Sequence, residues 1–158
     1  MMSDFRLDRL DHAILDVLQA DGRLAVVDLA ARVGLSPTPC ARRLRKLEAA
    51  GIIRGYHAEV DAALLGLELT VFVFLEILQD SRDAIQRVED ALRRVPRVVS
   101  AHRLMGRPDY VVRLLVADLD EYEQLYIDHL ATLPGVRTVQ SAPSMKPLVD
   151  GVVARIDV

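Results

Sequence analysis

GLSPTPCARRLRKLEAAGII, residues 34–53, puts four cations within five positions, Arg42, Arg43, Arg45 and Lys46, in a chain of formal net charge −3. Ser36-Pro37 stands just ahead of them. That pair reads as a helix N-cap followed by proline at the first helical position, where its missing N–H costs nothing. The helix is expected to run to Ala50, with Gly51 as its left-handed cap. At about 100° per residue, Cys40, Leu44 and Leu47 share one narrow stripe that has to be buried. Thr38, Arg42 and Arg45 fall on the opposite face. Lys46 and Pro39 lie at its edge, and Arg43 lies nearer the buried boundary.

The residues upstream supply what that stripe packs against. Leu10, Ala13, Ile14, Val17 and Leu18 form a first helical stripe, closed by Asp21-Gly22. Val26, Leu29, Ala30 and Val33 form a second, closed by Gly34. The connection Val33-Gly34-Leu35-Ser36 is short, so the second and third helices meet at a steep angle in a helix-turn-helix. The second helix of that motif enters the major groove of DNA. There, arginine forms bidentate contacts with guanine or charge-assisted ones with phosphate. A basic run alone usually marks a solvated face; behind a cap, a glycine turn and two helices it reads as a DNA-binding surface. Arg42, Arg45 and Thr38 are expected to reach bases, with Pro39 beside them, and Ser36, Arg43 and Lys46 to serve the backbone.

Charge is distributed to match. Residues 1–60 hold nine Lys/Arg and eight Asp/Glu, whereas residues 61–158 hold eleven and fifteen, and the two sums give −3. Within 36–56 there are five bases and one acid, a patch able to meet phosphates on an acidic chain. The 158 residues suffice for one ordinary domain or two small ones, and the apolar share of 51% is that of a soluble globular protein. The N-terminal residues lack the apolar segment of a signal peptide, and the longest apolar run, Val71 to Leu75, is too short to span a bilayer. One cysteine cannot form an internal disulfide, which fits a reducing compartment. A cytoplasmic location is expected, with no membrane partner.

After residue 53 the period changes. Residues 54–67 read as an extended connector with a short turn at its end, separating a domain over 1–53 from one over 68–158. LTVFVFLEIL (69–78), VVSAHRL (98–104), YVVRLLV (110–116) and VRTVQSA (136–142) read as strands. Ala84, Ile85, Val88, Leu92 and Val95 form a helical stripe between the first two. Tyr122, Leu125, Tyr126, Leu130 and Leu133 form another between the last two. The exit Leu92-Arg93-Arg94-Val95-Pro96-Arg97-Val98 echoes Leu130-Ala131-Thr132-Leu133-Pro134-Gly135-Val136. The half is therefore a duplicated βαββαβ unit, a ferredoxin-like sandwich. The predicted fold class is α+β, a three-helix (winged) helix-turn-helix domain joined to that sandwich. Such a sandwich covers one sheet face with helices, yet the first and third strands are apolar on both. The uncovered face predicts a twofold dimer, which sets two recognition helices for palindromic half-sites.

These residues carry a family resemblance. The chain resembles the leucine-responsive regulatory protein/AsnC family of transcription regulators over nearly its whole length. The matching segments are Leu7-Asp8-Arg9-Leu10-Asp11 with Ile14-Leu15, Asp21-Gly22-Arg23, GLSPTPCARRLRKLEAAGIIRGYHA (34–58), and Gly106 with Asp109-Tyr110. The resemblance implies a DNA-binding domain followed by an effector-binding domain, dimers that associate into octamers or other higher oligomers, and an amino acid as the usual effector. It places the effector near the loop of Gly106, Arg107, Asp109 and Tyr110. Two departures stand out. Ala25 occupies the N-cap of the second helix where relatives often have serine, and Arg107 replaces an acid in the effector loop.

Other readings stay open at this point. Gly106 and Asp109 also suit a plain turn between two strands, and Tyr110 also suits packing at the sheet edge. Arg107 suits an effector's carboxylate and equally a pairing with Asp109. Cys40, on the buried stripe, reads as a core residue. The four histidines lack metal-ligand spacing, and Asp118, Asp120, Glu121 and Glu123 crowd a helix start rather than form a catalytic pair. With no nucleophile motif, phosphate loop or dinucleotide fingerprint, neither cofactor nor metal is expected, and the chain reads as a regulator rather than an enzyme. An architectural DNA-wrapping protein without an effector is the alternative.

Overall fold

The computed structural model describes residues 6–79 and 81–148. The outer ends of the two expected domains, 1–5 and 149–158, lie outside the described residues. Those described form two compact units that divide after Glu59.

The first unit holds α1 (Arg9–Ala20), α2 (Val26–Arg32) and α3 (Pro37–Ala49). Ile14, Leu29, Ala30, Cys40 and Leu47 make its buried centre, with Val17, Leu18, Val26, Val33 and Leu44 packed around them. The predicted stripes therefore converge. Both inner helix ends close in the same way. Gly34 and Gly51 each have φ of 70°, and the next residue's N–H reaches back to a carbonyl five positions earlier, Leu35 to Ala30 at 2.9 Å and Ile52 to Leu47 at 3.0 Å. Glycine is needed here because any Cβ is strained at that φ. Ala25 makes no side-chain cap for α2. Ser36 is the N-cap of α3 by position, but its hydroxyl makes no cap bond. Prolines at 37 and 39 have already removed two of the donors that a cap would satisfy.

The second unit is a four-stranded antiparallel sheet with two helices. Its elements are β1 (Leu69–Ile77), α4 (Arg82–Leu92), β2 (Val98–Arg103), β3 (Tyr110–Val116), α5 (Leu119–Leu125) and β4 (Val136–Pro143), with a π-helical turn, Tyr126–Leu130, extending α5. The strand order β2-β3-β1-β4 is that of the ferredoxin-like sandwich. Val71, Val73 and Leu75 of β1 and Val112, Leu114 and Val116 of β3 pack against Val88, Leu92, Leu125 and Leu130. The other face carries Phe72 and Phe74 with Val111 and Leu115, but register also sets Arg113 opposite Phe72 and Gln140 opposite Phe74. That face is less uniformly apolar than strand composition suggested. Ser81 caps α4 and Asp118 caps α5, whose crowded acids are helix-start residues.

Candidate nucleic-acid interface and ligand loop

The basic face of α3 separates into two populations. Thr38, Arg42, Arg45 and Lys46 are exposed, as is Ser36 at the cap, and Pro39 is half-buried. Arg45 lies along its own helix, its Nε–H donating to the Ala41 carbonyl at 3.3 Å. Arg43 is different. Its Nη1 donates to Asp8 Oδ2 at 2.7 Å and to Asp11 Oδ1 at 2.8 Å.

Those two acids form the start of α1. Asp8 accepts from the N–H of Leu10 and Asp11 while Asp11 accepts from the N–H of Asp8, a reciprocal capping box. Asp11 is the buried charged residue among those described, 6% exposed, and this box plus Arg43 satisfies its carboxylate. The Asp11 N–H, then Arg43, hold the Asp8 carboxyl below the usual carboxylate range, and the two acids raise the Arg43 pKa further. Arg43 thus ties α3 to α1 through Nη1, while its side chain stays 26% exposed. Its angle near the buried boundary hinted at this; its partners lie 32 and 35 residues away and left no local signal.

Two further features shape this unit. Tyr56 donates its hydroxyl to Glu48 Oε1 at 2.9 Å, engaging the single acid of the basic patch. Burial, then the hydrogen bond to Glu48, pushes the Tyr56 phenol up to about 12. Cys40 is fully buried, and desolvation raises its thiol pKa, which disfavours the reactive thiolate and makes it a core residue.

In the second unit the loop between β2 and β3 is fastened by Asp109. Its Oδ2 accepts from the Ile77 N–H at 2.8 Å, its own N–H donates to the Leu75 carbonyl at 2.8 Å, and its carbonyl accepts from the Leu104 N–H at 2.7 Å. Gly106 turns the loop at φ 108°, and the Arg107–Pro108 bond is cis. Together Ile77, Leu104, Met105, Gly106, Arg107 and Asp109 border an open depression of about 640 Å³, with Arg103 at its rim. Among the described residues Arg107 makes no ion pair, so it does not pair with Asp109. Tyr110 departs from the expected set. It is 2% exposed, its ring belongs to the core beneath the helices, and it does not border the depression. Strand alternation explains this: the residue after Asp109 turns to the opposite face.

Comparison with known proteins decides the family. The winged helix-turn-helix DNA-binding family matches residues 7–54, and the Lrp/AsnC ligand binding domain matches residues 70–153. The chain belongs to the Lrp/AsnC family. Among its Lrp/AsnC relatives is the Bkd operon transcriptional regulator of Pseudomonas aeruginosa, 38% identical over 90% of this chain and 94% of that protein. The leucine-responsive regulatory protein of Escherichia coli is 38% identical over 85% of this chain and 82% of its own length. A Neisseria meningitidis transcriptional regulator solved as its L-Met complex is 36% identical, with a TM-score of 0.87 covering 92% of this chain and 94% of that one. The chain is accordingly a DNA-binding transcription regulator with a ligand-binding domain. Among the described residues no His, Cys, Asp and Glu group is placed to hold a metal, and no helix is long and apolar enough to cross a membrane.

Proposed function

We propose that this Lrp/AsnC protein is an amino-acid-responsive, sequence-specific regulator whose α3 lies in the major groove. Arg42, Arg45 and Thr38 contact base edges, Ser36 and Lys46 contact phosphates, and Pro39 shapes the approach. The observation that carries this is the division of the four cations. Arg43 is half-buried and paired with Asp8 and Asp11, while Arg42, Arg45 and Lys46 remain exposed on one face. A merely solvated face would not require one arginine to fix the angle of the helix that carries the others.

The effector sits at the β2–β3 loop, where Arg107 takes its carboxylate and the apolar border takes its side chain. Asp109 holds the loop in shape through the Ile77 N–H, so its role there is to position the loop. Copies pair through the open sheet face around Phe72 and Phe74, and such dimers associate further, to octamers or a related assembly. The protein carries out no catalysis and acts in the cytoplasm. The Met complex of the Neisseria relative and the name of the leucine-responsive relative support an amino-acid effector.

Two measurements test the proposal. A duplex selected by the protein from random DNA should outcompete its scrambled version at one fixed salt concentration. Equal affinity for both favours an architectural, sequence-blind role. A thermal-shift screen against the standard amino acids should return a stabilising ligand whose effect disappears in Arg107→Ala.

A further inference from the structure

Arg54 is a base of the 36–56 patch that α3 does not carry. Residues 54–60 belong to no helix or strand, yet one side chain fixes where the chain runs as it leaves α3. The Tyr56 hydroxyl donates to Glu48 Oε1, in the last turn of α3, at 2.9 Å. The Tyr56 ring lies over the α1–α2 turn: a Cβ added to Gly22 would stand 3.4 Å from Tyr56 Cδ1. Tyr56 therefore holds residues 54–57 against two elements at once, the end of α3 and the turn Asp21-Gly22-Arg23. That turn is itself set, the Arg23 N–H donating to Asp21 Oδ1 at 3.0 Å. Arg23 follows Gly22 and Arg54 precedes Tyr56 by two positions, so the contact gathers two cations distant in sequence. Both are exposed, and neither makes an ion pair among the described residues.

We propose that this arm, residues 54–57, is a second DNA-contacting element, with Arg54 and Arg23 binding phosphates beside the bases that α3 reads. A helix with its side chains is about 10–12 Å across and the major groove about 12 Å wide, so a helix seated there fills it. What flanks the helix then meets the phosphate walls, where an exposed, unpaired cation binds by releasing condensed counterions. Such contacts carry no sequence information; they fix the register of the helix that does. Tyr56 is a positioning residue, which touches no DNA and sets Arg54. The inference rests on α3 entering the major groove, and each of the two has its own variant in the test.

The test is fluorescence anisotropy of the full-length protein with the selected duplex and its scrambled version, at salt from about 50 to about 200 mM. Arg54→Ala and Arg23→Ala should each weaken both duplexes alike, by about threefold or more, and flatten the slope of log affinity against log salt by about one per protomer bound. Their melting temperatures should match wild type, since neither side chain is buried or paired. Tyr56→Phe keeps the ring and loses the hydroxyl. It should weaken both duplexes too, and adding it to Arg54→Ala should cost little more, because the hydroxyl acts through Arg54. Arg42→Ala reports on α3, through a loss confined to the selected duplex. Unchanged affinity and slope in Arg54→Ala, beside a loss in Arg42→Ala, overturns the arm and leaves the reading of α3 standing. A loss in Arg54→Ala on both duplexes, beside none in Arg42→Ala, supports the arm and removes Arg42 from base reading. An Arg54→Ala loss confined to the selected duplex overturns the phosphate role, and a Tyr56→Phe loss that simply adds to it overturns the positioning role.

Discussion

Arg43 Nη1 stands 2.8 Å from Asp11 Oδ1, joining the middle of the recognition helix to the buried start of α1. Removing the guanidinium leaves a carboxylate that is 8% exposed without its counter-ion. Arg43→Ala is expected to lower unfolding free energy by about 1–3 kcal/mol. Arg42→Ala, one position away and exposed, should change it by less than about 0.5 kcal/mol. Urea denaturation of the two variants beside the wild type checks the contrast.

The same cluster sets an acid limit. Asp8 binds its proton less tightly in the folded protein than in the unfolded chain, through the Asp11 N–H first and Arg43 second. Glu121 behaves alike, held by the Ala117 N–H and then by Arg97. Depressed carboxyl pKa values stabilise the fold above the unfolded pKa near 4, and the contribution disappears as pH falls through the folded values. Melting temperature should therefore drop on acidification from pH 6 to pH 3. The drop should be shallower in Arg43→Ala, because one source of the Asp8 shift is gone.

Arg97 and Gly135 occupy equivalent positions in the two halves of the sandwich, with left-handed φ of 64° and 75°. Gly135→Ala has room, its Cβ meeting Val88 Cγ2 at 3.9 Å, so its cost is backbone strain of about 1 kcal/mol. Arg97→Gly relieves the corresponding strain but loses the exposed ion pair to Glu121 at 2.7 Å. It should be near neutral. Differential scanning calorimetry of both variants reads the difference.

Phe72, 36% exposed at the middle of β1, is expected at the centre of the dimer contact. Phe72→Asp should shift sedimentation at micromolar concentration toward the monomer while leaving the unit folded, since the residue points away from the helix-covered core. An unchanged sedimentation profile would place the dimer contact elsewhere.

What could be read beforehand depended on how local its cause was. The stripes of α1, α2 and α3, the glycine stops at 34 and 51, and the echoed helix exits all follow from spacing within a few residues. The Asp8-x-x-Asp11 capping box was equally local and was missed, although an acid three positions after a capping acid signals a helix start. The clamp from Arg43 to those acids could not be seen, because it exists only once α3 crosses α1. Tyr110 has two readings in the sequence, ligand contact and packing, and only strand parity, set by pairing with β1, turns its ring into the core. The loop of Gly106, Arg107 and Asp109 is singled out by the family resemblance; its fastening to Ile77 comes only with the fold.

If the outward cations of α3 read DNA, a binding comparison between wild type and Arg42→Ala will show it. The affinities of wild type and Arg42→Ala are measured for the selected duplex and for its scrambled version, at one salt concentration. Arg42→Ala is expected to lose about 1–3 kcal/mol on the selected duplex and much less on the scrambled one, with its melting temperature unchanged. A folded Arg42→Ala protein that binds the selected duplex as tightly as wild type would show that this cation does not read the sequence.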